Sequence, residues 1–140
     1  MDSLPRGCRL IDFRECADER GCLSVAESRQ QVPFAIERVF WIYGVPEGQS
    51  RGEHSHNECT EVVVPVCGAF DMMVDDGDCR DEFMLDSPSK GLWLPAGCWG
   101  EQFGHSPDCI LLVLASLPYD TADYIRSYDE FIAWKKKVGG

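Results

Sequence analysis

The chain contains no apolar run approaching the ~20 residues that a membrane-spanning helix needs. Its opening, MDSLPRGCRLIDF, lacks the charged-then-apolar layout of a secretory leader. Basic residues are few: 13 Lys and Arg stand against 24 Asp and Glu, for a net charge of -11. Nucleic acid and anionic membrane both need basic surface, so neither is expected as a partner. An anionic small ligand would have to be held by local arginines. The eight cysteines form no CxxC pair, which argues against a zinc cluster. Cys67, Cys98 and Cys109 lie in apolar, strand-like runs. Buried, reduced thiols and a cytoplasmic location are therefore expected. There is no internal repeat, low-complexity segment or linker.

What is present fits one globular unit. Hydrophobic residues make up 44% and charged residues 26% of 140 positions, enough to bury a core unaided. A single domain over 1–140 is expected, with its core at about 8–116 and a C-terminal helix at about 120–137. Short β-type runs follow one another at close spacing, broken by Gly, Pro, Asn and Asp: 8–13, 22–27, 34–46, the stretch around 51–56, 60–66, 69–76, 81–86, 91–95, 98–103 and 109–116. In the longest, Phe40 and Ile42 share one face while Trp41 and Tyr43 share the other. Many short strands with regular turns describe an all-β antiparallel sandwich or jelly roll. Only the end changes period. Tyr124, Ile125, Tyr128, Phe131 and Ile132 make a helical stripe, with Asp120 as N-cap and Lys135 to Lys137 in the last turn.

Only three histidines occur, and two of them, His54 and His56, stand at i, i+2. On a strand that spacing projects both imidazoles to one face. Arg51 precedes them, and Glu61 follows at the mouth of the apolar run Val62-Val63-Val64-Pro65-Val66. Two imidazoles, a guanidinium and a carboxylate on one sheet face form a site-like set, where an ordinary half-buried strand would carry Val or Ile. Histidine titrates near neutral pH and suits proton transfer.

The spacing Gly48-x5-His54-x-His56-x4-Glu61-x6-Gly68 resembles the first cupin motif, and Pro95-x-Gly97 the start of the second, with Gly100 where that motif carries histidine. The wider text resembles one cupin branch, the nucleotide-sugar 3,4-ketoisomerases that act on dTDP-4-keto-6-deoxyglucose. Arg51-Gly52-Glu53-His54-Ser55-His56 carries the likeness, as do the tail runs from Ala115 to Asp120 and from Asp123 to Phe131. The resemblance covers about Ile11 to Phe131. It implies a cupin (RmlC-like) double-stranded β-helix and a homodimer. It also implies a dTDP-linked 4-keto-6-deoxy sugar as substrate, with no metal and no cofactor.

By that resemblance His54 is the base and His56 its partner, and Arg51 neutralises diphosphate charge. Trp41 and Trp99 would stack on thymine or line the sugar pocket, and Tyr43 would hydrogen-bond or shuttle a proton. Glu61 stands where the family usually has glutamine. It either sets a histidine tautomer or completes a two-histidine, one-carboxylate metal triad. A metal-dependent cupin enzyme and a non-catalytic nucleotide-sugar binder therefore stay open beside the isomerase. Each aromatic has an alternative role as core filler, and the tail tyrosines are expected to pack the helix without supplying chemistry.

Overall fold

The computed structural model describes residues 5–138. The ends of the expected 1–140 unit lie outside that span. In chain order the strands are β1 (Arg9–Asp12), β2 (Glu15–Asp18), β3 (Gly21–Ser24), β4 (Arg38–Tyr43), β5 (Arg51–His56) and β6 (Glu61–Cys67). Then come β7 (Phe70–Asp75), β8 (Arg80–Leu85), β9 (Lys90–Leu94), β10 (Trp99–Phe103), β11 (Ile110–Ala115) and β12 (Tyr124–Ile125), with helix α1 (Tyr128–Val138) last. One five-stranded sheet has the order β1-β9-β6-β11-β4, the other β12-β5-β10-β7-β8, and β2 and β3 form a separate hairpin. All named strand pairs are antiparallel. The architecture is an all-β, cupin-like jelly roll with a C-terminal helix.

The period-2 pattern accounts for the layers. Phe40, Ile42, Val63, Leu111 and Val113 from the first sheet meet Phe70, Met72, Val74 and Leu85 from the second, forming the core between the sheets. The outer face of the first sheet presents Val62, Val64 and Leu114, which Ile11, Phe13 and Val32 cover together with Phe34 and Ile36. The expected strand over 34–46 is thus shorter than its β-type composition. Residues 34 and 36 serve as a lid on that outer face, while Arg38–Tyr43 pairs with β11. The β2 strand, absent from the sequence expectation, forms because Asp18 to Gly21 turns the chain straight back onto β3.

Two further expectations need correction. Cys8, Cys59, Cys98 and Cys109 are buried, whereas Cys16, Cys22, Cys67 and Cys79 are exposed, and all eight are free. The hydrogen bond shared with Cys98 and burial push the Cys8 thiol far up, so it stays protonated.

The tail, moreover, is not one helix from 120. Asp120 accepts from the Ala122 amide and caps a single 3-10 turn, Thr121–Asp123. The chain then extends as β12 along the open edge of β5, where unpaired backbone groups were available. Only after Ser127, whose Oγ accepts from the Glu130 amide, does α1 begin. Ile125 and Phe131 still bury in one cluster with Met73 and Trp99, so the helical spacing of apolar residues survives a break in the backbone.

Candidate active site

The site forms where β5 of one sheet faces β4 and β6 of the other. Alternation on β5 turns His54 and His56 inward. The register between β5 and β10 shifts at this point: Gly100 lies opposite His54, and Glu101 opposite Gly52. Glu53 is the extra residue and sits at φ 50, beside Gly52 at φ 83. A bulge of this kind re-aims neighbouring side chains. Strict alternation would send Arg51 and His54 to opposite faces. With the bulge, both line the same cleft. A side chain at Gly52 would meet the Gly100 carbonyl oxygen at 3.1 Å as well as the unfavourable φ.

His54 Nδ1 lies 2.8 Å from the Gly52 carbonyl oxygen. An oxygen there can only accept, so Nδ1 carries the proton and Nε2 presents its lone pair to the cleft. Burial holds the His54 imidazole below its ordinary range. The neighbouring His56 adds to that, and the charge of Glu61 partly offsets it. A neutral imidazole with an exposed lone pair is a base.

His56 is held differently. Its Nδ1 lies 3.0 Å from Asp123 Oδ2, a carboxylate that also accepts from the Glu58 and Cys59 amides at 2.8 and 3.1 Å. Asp123 is thereby fixed by two backbone donors and orients the ring, while His56 Nε2 faces Glu61 Oε2 at 3.6 Å. The two imidazoles meet edge to face, centroids 4.9 Å apart, and the Tyr124 ring packs on both, at 5.0 and 4.4 Å.

The opposite wall comes from the first sheet. Arg38, Ala115 and Glu61 lie in one row across β4, β11 and β6. Because the central residue is only alanine, Arg38 reaches Glu61 at 4.0 Å and donates to the Tyr124 hydroxyl at 3.3 Å. Burial pushes the Tyr124 phenol up, so it stays protonated. The Arg126 guanidinium stacks on the Tyr124 ring at 4.3 Å. Phe40, Ile42 and Val113 form the apolar floor, with Arg51 and Arg126 as cationic groups of a cleft of about 210 Å³.

Of the residues expected from the sequence, His54, His56, Glu61 and Arg51 converge. Three do not. Trp41 and Tyr43 are 59% and 68% exposed on the outward face of β4, since the inward positions of that strand are Arg38, Phe40 and Ile42. Trp99 is 3% exposed on the opposite side of β10, packed on Tyr128 and Phe131 with its indole N–H donating to Glu101. Its place is under α1. His105 stacks on Phe70 and is not among the residues lining the cleft.

Sequence reasoning missed Arg38, Asp123, Tyr124 and Arg126. Arg38 had a signal, because it shares the parity of Phe40 and Ile42 and so places a cation on an apolar face. The other three were legible only as family tail motif; Tyr124 and Arg126 line the cleft, and Asp123 holds His56.

The donor atoms of His54, His56 and Glu61 lie within 4.8 Å of one another, close enough to converge on a cation. The Gly100 position expected for a further histidine ligand is crowded, since a Cβ there would lie 2.9 Å from Met72 Cε.

Jelly-roll sheets around a histidine pair that projects from β5 define a cupin. Within that class, the family model described as FdtA: WxcM-like, C-terminal, matches residues 6–136, and the chain belongs to this family. It is 38% identical over 130 residues to the TDP-4-oxo-6-deoxy-alpha-D-glucose-3,4-oxoisomerase of Aneurinibacillus thermoaerophilus, covering 93% of this chain and 94% of that one. The solved structure of a histidine-to-asparagine mutant of the 3,4-ketoisomerase QdtA from Thermoanaerobacterium thermosaccharolyticum, in complex with TDP-4-keto-6-deoxyglucose, superposes with a TM-score of 0.93 at 36% identity, over 96% of this chain and 98% of that one. The WlaRB TDP-quinovose 3,4-ketoisomerase from Campylobacter jejuni gives 0.88 at 36% identity, over 91% and 98%.

Proposed function

We propose that this chain is a nucleotide-sugar 3,4-ketoisomerase, converting a dTDP-linked 4-keto-6-deoxyglucose to its 3-keto isomer. The observation that carries the reading is the pairing of two unlike histidines on one face. His54 is neutral with Nε2 free, and His56 is tied to a fixed carboxylate. The C3 hydrogen is acidified by the adjacent carbonyl, so a base of near-neutral strength suffices to form an enediol. His54 removes the C3 proton and returns it at C4. His56 and Tyr124, held by Asp123 and Arg38, face the two sugar oxygens. Arg51 and Arg126 supply the guanidinium groups that suit a diphosphate.

The test is proton NMR of the purified protein with dTDP-4-keto-6-deoxyglucose in D2O with excess chelator. Loss of the C3 proton signal and growth of a 3-keto product are expected. Exchange that appears only after iron or manganese is added would point to the metal-dependent reading instead. Tight binding without exchange would point to a binder. The same assay fixes the pH dependence. The base must be neutral, so kcat/KM should rise with pH through a limb below the ordinary histidine value of 6.5. Stability follows the same sign. The unfolded chain binds the His54 proton more readily, so this contribution is present above pH ~6.5 and is lost as pH falls through the lower folded value.

We also read the product as feeding 3-aminosugar synthesis for surface polysaccharide, in the cytoplasm, by a homodimer. The outward apolar side chains of β4, Val39, Trp41 and Tyr43, support a second copy packing on this face. Sedimentation should give a dimer, and Trp41→Glu should shift it toward monomer. A wild-type monomer at micromolar concentration would remove this part of the reading. No helix among the described residues is long and apolar enough to cross a membrane.

A further inference from the structure

Gln102 is the polar side chain that β10 sends between the sheets. The inward residues of the neighbouring strand β7 are Phe70, Met72 and Val74, all buried in the core, and Met72 stands directly opposite Gln102. The other inward position of β10 is Gly100, which has no side chain to offer. A strand facing such a core would be expected to carry an aliphatic residue at 102. Instead an amide is buried there, 6% exposed, and its Oε1 makes no hydrogen bond among the described residues. A bare carbonyl oxygen in these surroundings works against folding, so it points to a ligand contact.

Strand register fixes where the amide sits. Across the β5–β10 pair, Gln102 lies opposite Arg51 and Gly100 lies opposite His54. A Cβ on Gly52 would stand 3.6 Å from Gln102 Nε2, so the amide lies over the backbone between Arg51 and His54. Gln102 lines the cleft of about 210 Å³ together with Arg51 and Arg126. It also lines a smaller cavity of about 20 Å³ that shares Gly52, His54 and Glu61 with the cleft and reaches His56. The amide therefore stands between the cationic end and the histidines.

The sugar ring carries its groups in the same order. C1 bears the diphosphate, C3 bears the proton that His54 removes, and C2 with its hydroxyl lies between them. With the diphosphate at the arginines and C3 at His54 Nε2, the C2 hydroxyl falls at Gln102. An amide suits that group, since both donate and accept, whereas a phosphate oxygen accepts and is better met by a guanidinium. We propose that Gln102 recognises the C2 hydroxyl, its Oε1 accepting from it, and so restricts the substrate to nucleotide sugars with an unsubstituted hydroxyl at C2. This rests on the ketoisomerase reading and adds a specificity-determining residue to it. A 2-deoxy sugar leaves the amide oxygen unpaired. A 2-acetamido sugar brings a larger group against a wall where a Cβ on Gly52 would already meet the Gly100 carbonyl oxygen at 3.1 Å.

Calorimetric titration with dTDP-glucose and dTDP-2-deoxyglucose, which differ only at C2, tests the wild type directly. It should bind the 2-hydroxy sugar roughly 10- to 100-fold more tightly. Gln102→Leu should bind the two alike, while its affinity for dTDP alone stays at the wild-type value. Gln102→Asn, which withdraws the amide along the side chain, should fall between and guards against misfolding of the leucine variant. In the exchange assay Gln102→Leu should raise KM by the same factor and leave kcat nearly unchanged, because a contact made alike in ground and transition states acts on binding alone. Equal binding of both sugars by the wild type overturns the proposal. So does a Gln102→Leu variant that keeps the preference, or one that weakens dTDP as much as dTDP-glucose, which would put the amide on the diphosphate. If the preference is present but the keto sugar undergoes no exchange, the ketoisomerase reading fails while the recognition of the C2 hydroxyl stands.

Discussion

His54→Ala should abolish exchange of the C3 proton, and His56→Ala should reduce isomerisation to a similar floor, each by roughly 10²–10⁴-fold in kcat. The two variants should not be equivalent. Without His54 there is no base, so neither exchange nor product is expected. Without His56 the oxygen chemistry fails, but His54 still faces C3, so slow washout of the C3 proton without net product is the expected residue of activity. The double variant should cost little more than His54→Ala alone, because residues acting as a unit are not additive. Deuterium exchange and product formation measured on the same samples separate these outcomes. Wild-type turnover in either single variant would remove the site assignment.

Asp123→Asn should be nearly as damaging, from a residue expected to touch no substrate. The carboxylate accepts three hydrogen bonds, from His56 Nδ1 and from the Glu58 and Cys59 amides. An amide offers one acceptor oxygen and turns an NH2 group toward the remaining donors. At least one buried N–H is left unpaired, which costs about 1–3 kcal/mol of stability. The His56 ring also loses the group that fixes its tautomer, and a carboxylate-to-amide change behind a catalytic histidine costs up to roughly 10⁴ in kcat. KM should move little. Chemical denaturation and steady-state kinetics check the two halves independently. Lost stability with unchanged kcat would make Asp123 a strut and nothing more.

The residues that resisted sequence reasoning share a cause. Asp123 reaches His56 across 67 positions of chain, through a 3-10 turn and a two-residue strand that the helical stripe disguised. Apolar spacing at Tyr124, Ile125, Tyr128, Phe131 and Ile132 is satisfied equally by a helix and by a bent path over the same hydrophobic cluster. The open edge of β5 chose the second. Trp41, Tyr43 and Trp99 illustrate a different ambiguity. Alternation showed that Trp41 and Tyr43 share a face and that Phe40 and Ile42 share the other. It did not say which face looks inward, since both are apolar. Arg38 would have broken the tie, being on the Phe40 face and able to be buried only against a partner.

By itself, then, the order of residues determined most of the strands and the common face of His54 and His56, because these depend on local periodicity and on glycine and proline placement. It also carried the two motifs that mark the family. Tertiary structure alone decided that Ala115 leaves room for Arg38 to reach Glu61, that a bulge at Glu53 brings Arg51 round to the histidines, that Asp123 orients His56 and that Tyr124 lines the cleft. Each of these follows from register between strands distant in sequence. Cross-strand register is fixed by the packing of the whole sandwich, which no local stretch of chain encodes.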